Sequence, residues 1–509
     1  MDAPPSEDAV RLSSWTRAVA VVVASGVGRL VIAALTPVFP DETYYWEWSR
    51  HLAAGYFDHP PAIAWLIRFG TVFFGVTPIG VRLGAVLAGS IGTFFVCATA
   101  RRVAGDRAAL LAAIILAVMP LSAAGLVLAT PDAPLLGAAA ATVYAIVRAL
   151  ENPPRSRASL QWWCVAGFAL GIAFCSKYTS ALLPAAVVLA LLVRRELRAR
   201  LTEPGPYVAT IIAFILFAPV VLWNARHGWV SFVFQLQHGL TPAGGSVLNR
   251  ELEMIGGQLG LVSPILLAMM AVAVVRGFRS PLSSLLSLLS LFVFAFFIYS
   301  ATRRRVEANW PALAYLPATV LLVSYAGGRT WEQWLRAGIA LAAVLTVVTY
   351  VNAFTPILPV PAGRDPAARA AGWKALADSV ERIRATRLPL SSYRTFIAAD
   401  RYQDASELAF HMPQHPETFS LNIAGRANQY DLWRLFPDRA QMNDALILVL
   451  DERPDTPATI QLLTPHFAAV QQGPVVPIAR NGEVIKRVRV WLLAGWRGTW
   501  PGRGLRSRL

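Results

Sequence analysis

Long apolar stretches, separated by short basic ones, fill the first 350 or so residues of the chain. A helix rising about 1.5 Å per residue needs about 20 mostly apolar residues to cross a bilayer. Stretches of that kind lie near 17–38, 80–100, 108–126, 132–150, 161–176, 179–193, 207–223, 257–275, 283–300, 311–326 and 335–353. They predict about eleven spanning helices. The first follows Arg11 and Arg17 but is long for a cleaved leader, and reads as an uncleaved span. The run AIAWLIRFGTVFFG after Pro61 is apolar but too short to span, which predicts a helix lying along the membrane surface.

Beyond residue 360 the pattern changes. RDPAARAAGWKALADSVERIRA reads as a polar amphipathic helix. Strand-like runs follow at RTFIAAD, ETFSLNI, ALILVLD and VIKRVRVWLL, with helix-like stretches at QDASELAFHM and ATIQLLTPHF. Such alternation predicts a small α/β domain. The expected fold is thus a polytopic α-helical membrane protein over residues 1–355, with a C-terminal soluble α/β domain over 356–509.

Composition agrees. The chain is 55% hydrophobic and 15% charged, against roughly 25% charged for soluble domains. Its net charge of +16 would suit a nucleic-acid binder only if it formed a soluble basic face. Instead the arginines cluster between spans: Arg101, Arg102 and Arg107; Arg155 and Arg157; Arg194, Arg195, Arg198 and Arg200; Arg276 and Arg279; Arg329 and Arg336. Basic loops face the cytoplasm. The alternate segments, around 40–60, 127–132, 176–178, 224–250 and 301–310, are then external, and an odd number of spans places the C-terminal domain outside. Partners are the bilayer and lipid phosphates, with no nucleic acid. The three cysteines, Cys97, Cys164 and Cys175, lie in apolar stretches and form no CxxC pair.

One external segment carries Arg303, Arg304 and Arg305 where such charge is disfavoured. A local anion would explain them, as would anchoring to lipid headgroups. The first external segment, DETYYWEWSRHLAAGYFDHPP, is rich in aromatics; Tyr44, Tyr45, Trp46, Trp48, Tyr56 and Trp65 suggest a belt at headgroup level. The acids Asp41, Glu42, Asp58 and Asp132 sit at the outer ends of spans, where acidic groups are costly and point to function. Asp404 and Glu407, a helical turn apart, read as a solvated face.

DETYYWEWSRHLAAGYFDHPPAIAWL resembles the first external loop of the C-type glycosyltransferase superfamily, in the bacterial branch related to protein O-mannosyltransferases and the lipid A aminoarabinose transferase. TPDAP at 130–134, CSKYTS at 175–180, WNARHGWVSF at 223–232, RRRVEANWPA at 303–312 and DRYQDASELAF…AGRANQYDLW resemble that branch too. The resemblance implies an inverting transfer of a sugar from a polyprenyl-phosphate donor to an envelope lipid, glycan or protein at the periplasmic face of a bacterial inner membrane.

It also implies roles. Asp41 would be the base on the acceptor hydroxyl, Glu42 its neighbour and Asp132 the second acid. His59, Lys177, Tyr178 and Arg303 to Arg305 would meet the phosphate and lipid headgroup, and Asn309 and Trp310 would shape the sugar pocket. The resemblance allows a divalent ion without implying one; Asp41, Glu42, Asp132 and His227 are the residues that would hold it. The residues alone leave rivals: Asp41 and Asp132 could be helix caps, Lys177 an end-of-span anchor and His227 an interfacial residue. Transport or flipping of a glycolipid, or a non-catalytic role in envelope assembly, would be the alternative functions.

Overall fold

The computed structural model describes residues 12–242, 244–361, 363, 365–387, 394–422, 426–453 and 456–501. Arg11, Arg364, Ile423, Ala424 and Gly425, which belong to stretches quoted above, lie outside them. The described chain forms two compact units: Met1–Ile32 with Gly84–Pro219 and Leu236–Thr349, and Ala33–Leu83 with Val220–Gln235 and Tyr350–Leu509.

Helices fall on all the predicted apolar stretches. Among the described residues six are long and apolar enough to cross a membrane alone: Ser14–Leu35, Pro78–Val118, Asp132–Glu151, Pro204–Arg226, Pro281–Arg303 and Gly328–Phe354. Val247–Val262 and Pro264–Arg279, bent by 101° at Ser263, would make a seventh. This is fewer than the eleven expected, for local reasons. Pro78–Val118 joins two predicted spans across a break at Ala104 and Gly105, whose φ of 83° is left-handed and suits glycine. Tyr178–Val193 and Ala312–Ser324 are apolar but shorter.

In the first unit, small residues let helices touch. A Cβ on Gly137 would stand 2.6 Å from the carbonyl oxygen of Ala88, and one on Gly167 2.4 Å from that of Ala209. Such contacts drive packing where lipid removes the hydrophobic incentive. Serines along Pro281–Arg303 bond to neighbouring backbone: Ser287 donates to the Val274 carbonyl and Ser290 to that of Ala314. These two hydroxyls are thereby paired within an apolar interior.

The second unit contains the C-terminal sheet, and the aromatic segment Asp41–Pro61 folds with it. Five strands, β1 (Thr395–Ala399), β2 (Thr418–Ser420), β3 (Ala445–Asp451), β4 (Phe467–Arg480) and β5 (Glu483–Trp496), are ordered β2-β1-β3-β5-β4. β1 pairs parallel with β2 and β3, whereas β5 runs antiparallel to β3 and β4. β4 was not expected, because Pro474 and Pro477 interrupt its pattern. It is an edge strand with a register shift between Gln472 and Val475, where proline is tolerated.

The expected amphipathic helix is shorter, Trp373–Arg387, and is preceded by a 3-10 turn over Pro366–Ala370. The helix Ala62–Phe74 exposes Trp65, Phe69, Val72, Phe73 and Phe74, as a surface-lying membrane helix should.

Two expectations are corrected here. Tyr44, Trp46, Trp48 and Tyr56 are buried, between 0% and 2% exposed, and do not form a headgroup belt. They pack within the second unit: Tyr44 against Tyr402, Trp46 against Phe410 and Trp48 on Tyr56. Asp404 and Glu407 are buried too, because the helix Tyr402–His411 turns that face inward. Lys486 holds Asp404 at 3.1 Å, as a buried carboxylate requires.

Candidate active site

Asp41 and Glu42 open the helix Pro40–Arg50, whose extended N-cap is Phe39 and whose first residue is proline. Proline fits there because it lacks only an N–H that would be unpaired anyway. Asp41 is therefore not the cap. Glu42 closes the first turn by accepting from the Phe39 N–H at 2.9 Å. It also receives a fork from Arg82: Nε to Oε1 at 2.7 Å and Nη2 to Oε2 at 2.5 Å. Arg82 spends its other N–H groups on the carbonyls of Ala33, Thr36 and Pro37 and on the Thr36 hydroxyl. Both side chains are 1% exposed or less. A buried pair of this kind stands only when every donor is matched. The geometry thus makes Glu42, expected as the neighbour of the base, a buried residue that fixes the helix start through Arg82.

Asp41, on the same turn, keeps 42% of its side-chain surface and meets only a loose ion pair, 3.4 Å from Arg369 Nη2. The protein around this half-exposed carboxyl removes part of its water and pushes its pKa above the ordinary carboxylate range; Arg369 and Arg426 oppose that rise and Asp58 adds to it.

Asp58 is the residue that sequence reasoning underrated. Its Oδ2 accepts from the Tyr44 hydroxyl at 2.7 Å and its Oδ1 from Arg426 Nη1 at 2.6 Å. Gln429 ties the knot, donating its N–H to the Tyr44 oxygen and accepting from the Phe57 N–H, both at 2.7 Å. Arg426 also donates to the Tyr402 hydroxyl at 2.8 Å, and its guanidinium lies 4.9 Å from the ring centres of both Phe234 and Tyr402. Burial keeps the Tyr402 phenol neutral, pushed up to about 12. Arg426 stood in a quoted motif without a role. Its partner lies 368 residues earlier in the chain, a distance no local pattern spans. His59 follows Asp58; its carbonyl accepts from the Tyr56 N–H at 3.2 Å and its ring lies 6.1 Å from Tyr45.

The first unit holds a separate constellation. Asp132 begins the helix Asp132–Glu151, with Pro131 as N-cap and no side-chain cap bond. Its carboxylate instead accepts from Lys177 Nζ at 2.7 Å and from Asn309 Nδ2 at 2.9 Å. The Lys177 and Asp132 side chains are 9% and 14% exposed, so Lys177 is no surface anchor. Gln258 donates to the carbonyl of Ala308, beside Asn309, at 3.0 Å and receives the Tyr315 hydroxyl at 2.8 Å. That bond holds the loop that presents Asn309.

Trp310 packs 5.5 Å from His238, and Tyr178 lies 6.5 Å from Phe217. The three arginines fan apart: Arg303 over Tyr299, Arg304 to the Gln237 carbonyl at 2.8 Å and Arg305 to Glu253 at 3.3 Å. They do not converge on one anion pocket.

The four residues considered for a divalent ion do not offer a free donor set. Glu42 is spent on Arg82 and Asp132 on Lys177 and Asn309. His227 turns Nδ1 to the Trp223 carbonyl at 2.7 Å and stacks on that indole. Among the described residues, no group of three or more His, Cys, Asp or Glu is gathered to hold a metal.

Residues 58–223 match the family described as dolichyl-phosphate-mannose-protein mannosyltransferase. Lipid A galacturonosyltransferase RgtD of Rhizobium johnstonii is 28% identical over 317 residues, 62% of this chain and 65% of that protein. An undecaprenyl phosphate-alpha-4-amino-4-deoxy-L-arabinose arabinosyl transferase of Pseudomonas paraeruginosa is 29% identical over 197 residues, 36% of each chain. The chain spans less than two thirds of the length of these curated relatives. Crystalline ArnT from Cupriavidus metallidurans, bound to undecaprenyl phosphate, superposes with a TM-score of 0.64 at 19% identity, covering 93% of this chain and 97% of that one. The chain shares the fold of that structure, a helical bundle with several candidate membrane spans and a small C-terminal sheet. Over residues 58–223 the chain is thus similar to the protein mannosyltransferase family, and over a longer stretch to the galacturonosyltransferase of Rhizobium johnstonii.

Proposed function

We propose that the protein is an inverting glycosyltransferase at the periplasmic face of a bacterial inner membrane, moving one sugar from a polyprenyl-phosphate donor to an envelope acceptor. The relatives' names point to lipid A or the lipopolysaccharide core as acceptor, and to a uronic acid or an amino sugar as cargo. The observation that carries the reading is the contrast between adjacent acids: Glu42 locked on Arg82, Asp41 half-exposed and loosely held.

Asp41 takes the proton of the acceptor hydroxyl. The acceptor oxygen attacks the anomeric carbon, a new glycosidic bond forms, and the bond to the phosphate oxygen breaks with inversion. Polyprenyl phosphate departs with the electron pair. Because the leaving group is already an anion, it needs cations more than a strong acid. His59, which folds in the same unit as Asp41, is the residue proposed to meet it. We place the boundary between membrane and soluble parts near residue 355.

The test is mass spectrometry of envelope lipids and glycans from cells with and without the gene. Loss of one sugar mass from one species supports the reading and names cargo and acceptor; an unchanged glycan and lipid profile contradicts it.

A further inference from the structure

We propose that Asp58 and Arg426, tied through Tyr44 to the helix that carries Asp41, are positioning residues for that base: they fix its helix and keep the charge around it balanced. The proposal rests on the transferase reading above and adds to it two residues that act through Asp41.

Asp41 is not held firmly by its own bonds. Its ion pair to Arg369 is open, at 3.4 Å, and 42% of its side chain is exposed. An exposed pair of that length fixes little. The place of the carboxylate is therefore set by the helix Pro40–Arg50 on which it stands. Glu42 and Arg82 pin the first turn of that helix. Tyr44, three residues after Asp41 and so on the same side of the helix, pins the next turn.

The pin at Tyr44 is short and two-sided. Its buried phenol donates to Asp58 Oδ2 and accepts the Gln429 N–H, each at 2.7 Å. The other carboxylate oxygen of Asp58 accepts from Arg426 Nη1 at 2.6 Å. The backbone of the same segment is clamped as well: Gln235 donates to the Asp58 carbonyl and Ser231 to that of Tyr56, both at 2.6 Å. A carboxylate buried as Asp58 is stands only with its cation beside it. Arg426 is that cation, with Phe234 and Tyr402 flanking its guanidinium.

Two opposite charges close to a base also act on it. Burial raises the proton affinity of Asp41; Arg369 and Arg426 lower it, and Asp58 raises it. Tyr402, kept neutral by burial, lies within reach of the same carboxyl. Glu42, next to Asp41 on the helix, is matched by Arg82. Asp58 and Arg426 thus push Asp41 in opposite directions, and removing either leaves the other uncompensated.

The experiment uses the full chain in lipid nanodiscs, lipid A as acceptor, and a polyprenyl phosphate carrying a hexuronate, a hexose or an amino sugar. The fastest of the three donors with wild type serves for every variant. The pH profile of kcat/KM is measured, with the melting temperature alongside. Arg426→Gln should move the acid limb to higher pH and Asp58→Asn to lower pH, each by about half a pH unit or more. The double variant should bring the limb back towards wild type. Tyr44→Phe keeps both charges and cuts the tie: kcat should fall about tenfold or more, with KM for the donor and the acid limb unchanged. If a single charge variant fails to insert, Tyr44→Phe and the double variant decide. Limb shifts of the same sign, or rate losses that follow the melting temperature with the limb unmoved, would overturn the proposal. So would Tyr44→Phe at the wild-type kcat; each of these results leaves the transferase reading standing. No turnover of any donor by wild type would contradict both.

Discussion

At the scale of single residues, the local chemistry was partly legible. Asp132, Lys177 and Asn309 each drew attention as polar groups at the outer ends of apolar stretches, and the structure joins them in one hydrogen-bonded set. Their pairing was not legible, because they lie 45 and 177 residues apart. Asp41 and Glu42 were legible as adjacent acids at the end of an apolar stretch, but not their different surroundings, which depend on Arg82 some 40 residues on.

Two predictions belong to this scale. Lys177→Met leaves Asp132 without its cation, and breaking a buried pair costs about 3–5 kcal/mol. Asp132→Asn and Lys177→Met should each depress transfer, and the double variant should be no worse than the singles, as a double-mutant cycle on turnover would show. The second concerns pH. Asp41 must be ionised to act as base, and burial lifts its pKa. Activity should therefore be present at neutral pH and fall on acidification through a value above the ordinary carboxylate range. A pH profile of kcat/KM in proteoliposomes checks this; an acid limb at or below about 4 would contradict it.

At the scale of elements, sequence periodicity located helices well and misjudged surroundings. Alternation and apolar runs reveal that a segment is helical, yet not which element covers it. The aromatics of Pro40–Arg50 look like a membrane belt until Tyr402, Phe410 and Tyr430 are found packed on them. Gly70 marks another close approach. A Cβ there would stand 2.1 Å from the Gly80 carbonyl oxygen, between the surface helix Ala62–Phe74 and the start of Pro78–Val118. Gly70→Ala should cost about 1–3 kcal/mol, read as a lower melting temperature of the full protein in detergent.

His411, on the helix Tyr402–His411, gives a pH signature of stability. Burial, with Lys374 nearby, pushes its imidazole down from 6.5 to about 4. The unfolded chain then takes up the proton first. The stabilising contribution is complete above about 6.5 and is lost as pH falls towards 4. His411→Gln should flatten that part of the melting-temperature profile; an unchanged acid slope would remove His411 as its source.

At the scale of the whole molecule, the basic loops and the apolar stretches made the class of protein readable early. The edge strand β4 and the long-range knot of Asp58, Tyr44, Arg426 and Gln429 were not, since each is fixed by partners distant in sequence. The distribution of arginine predicts that the chain beyond Asn352 lies outside the cytoplasm. A periplasm-dependent reporter fused after Asn352 should be active, and a cytoplasm-dependent one silent.

The central claim is that Asp41 is the base of a sugar transfer from a lipid phosphate. Its most direct measurement is turnover of a labelled polyprenyl-phosphate sugar by membranes holding equal amounts of correctly inserted wild type and Asp41→Asn. A fall of at least about a hundredfold, with expression and insertion unchanged, is the predicted result; turnover by Asp41→Asn at the wild-type rate would contradict it.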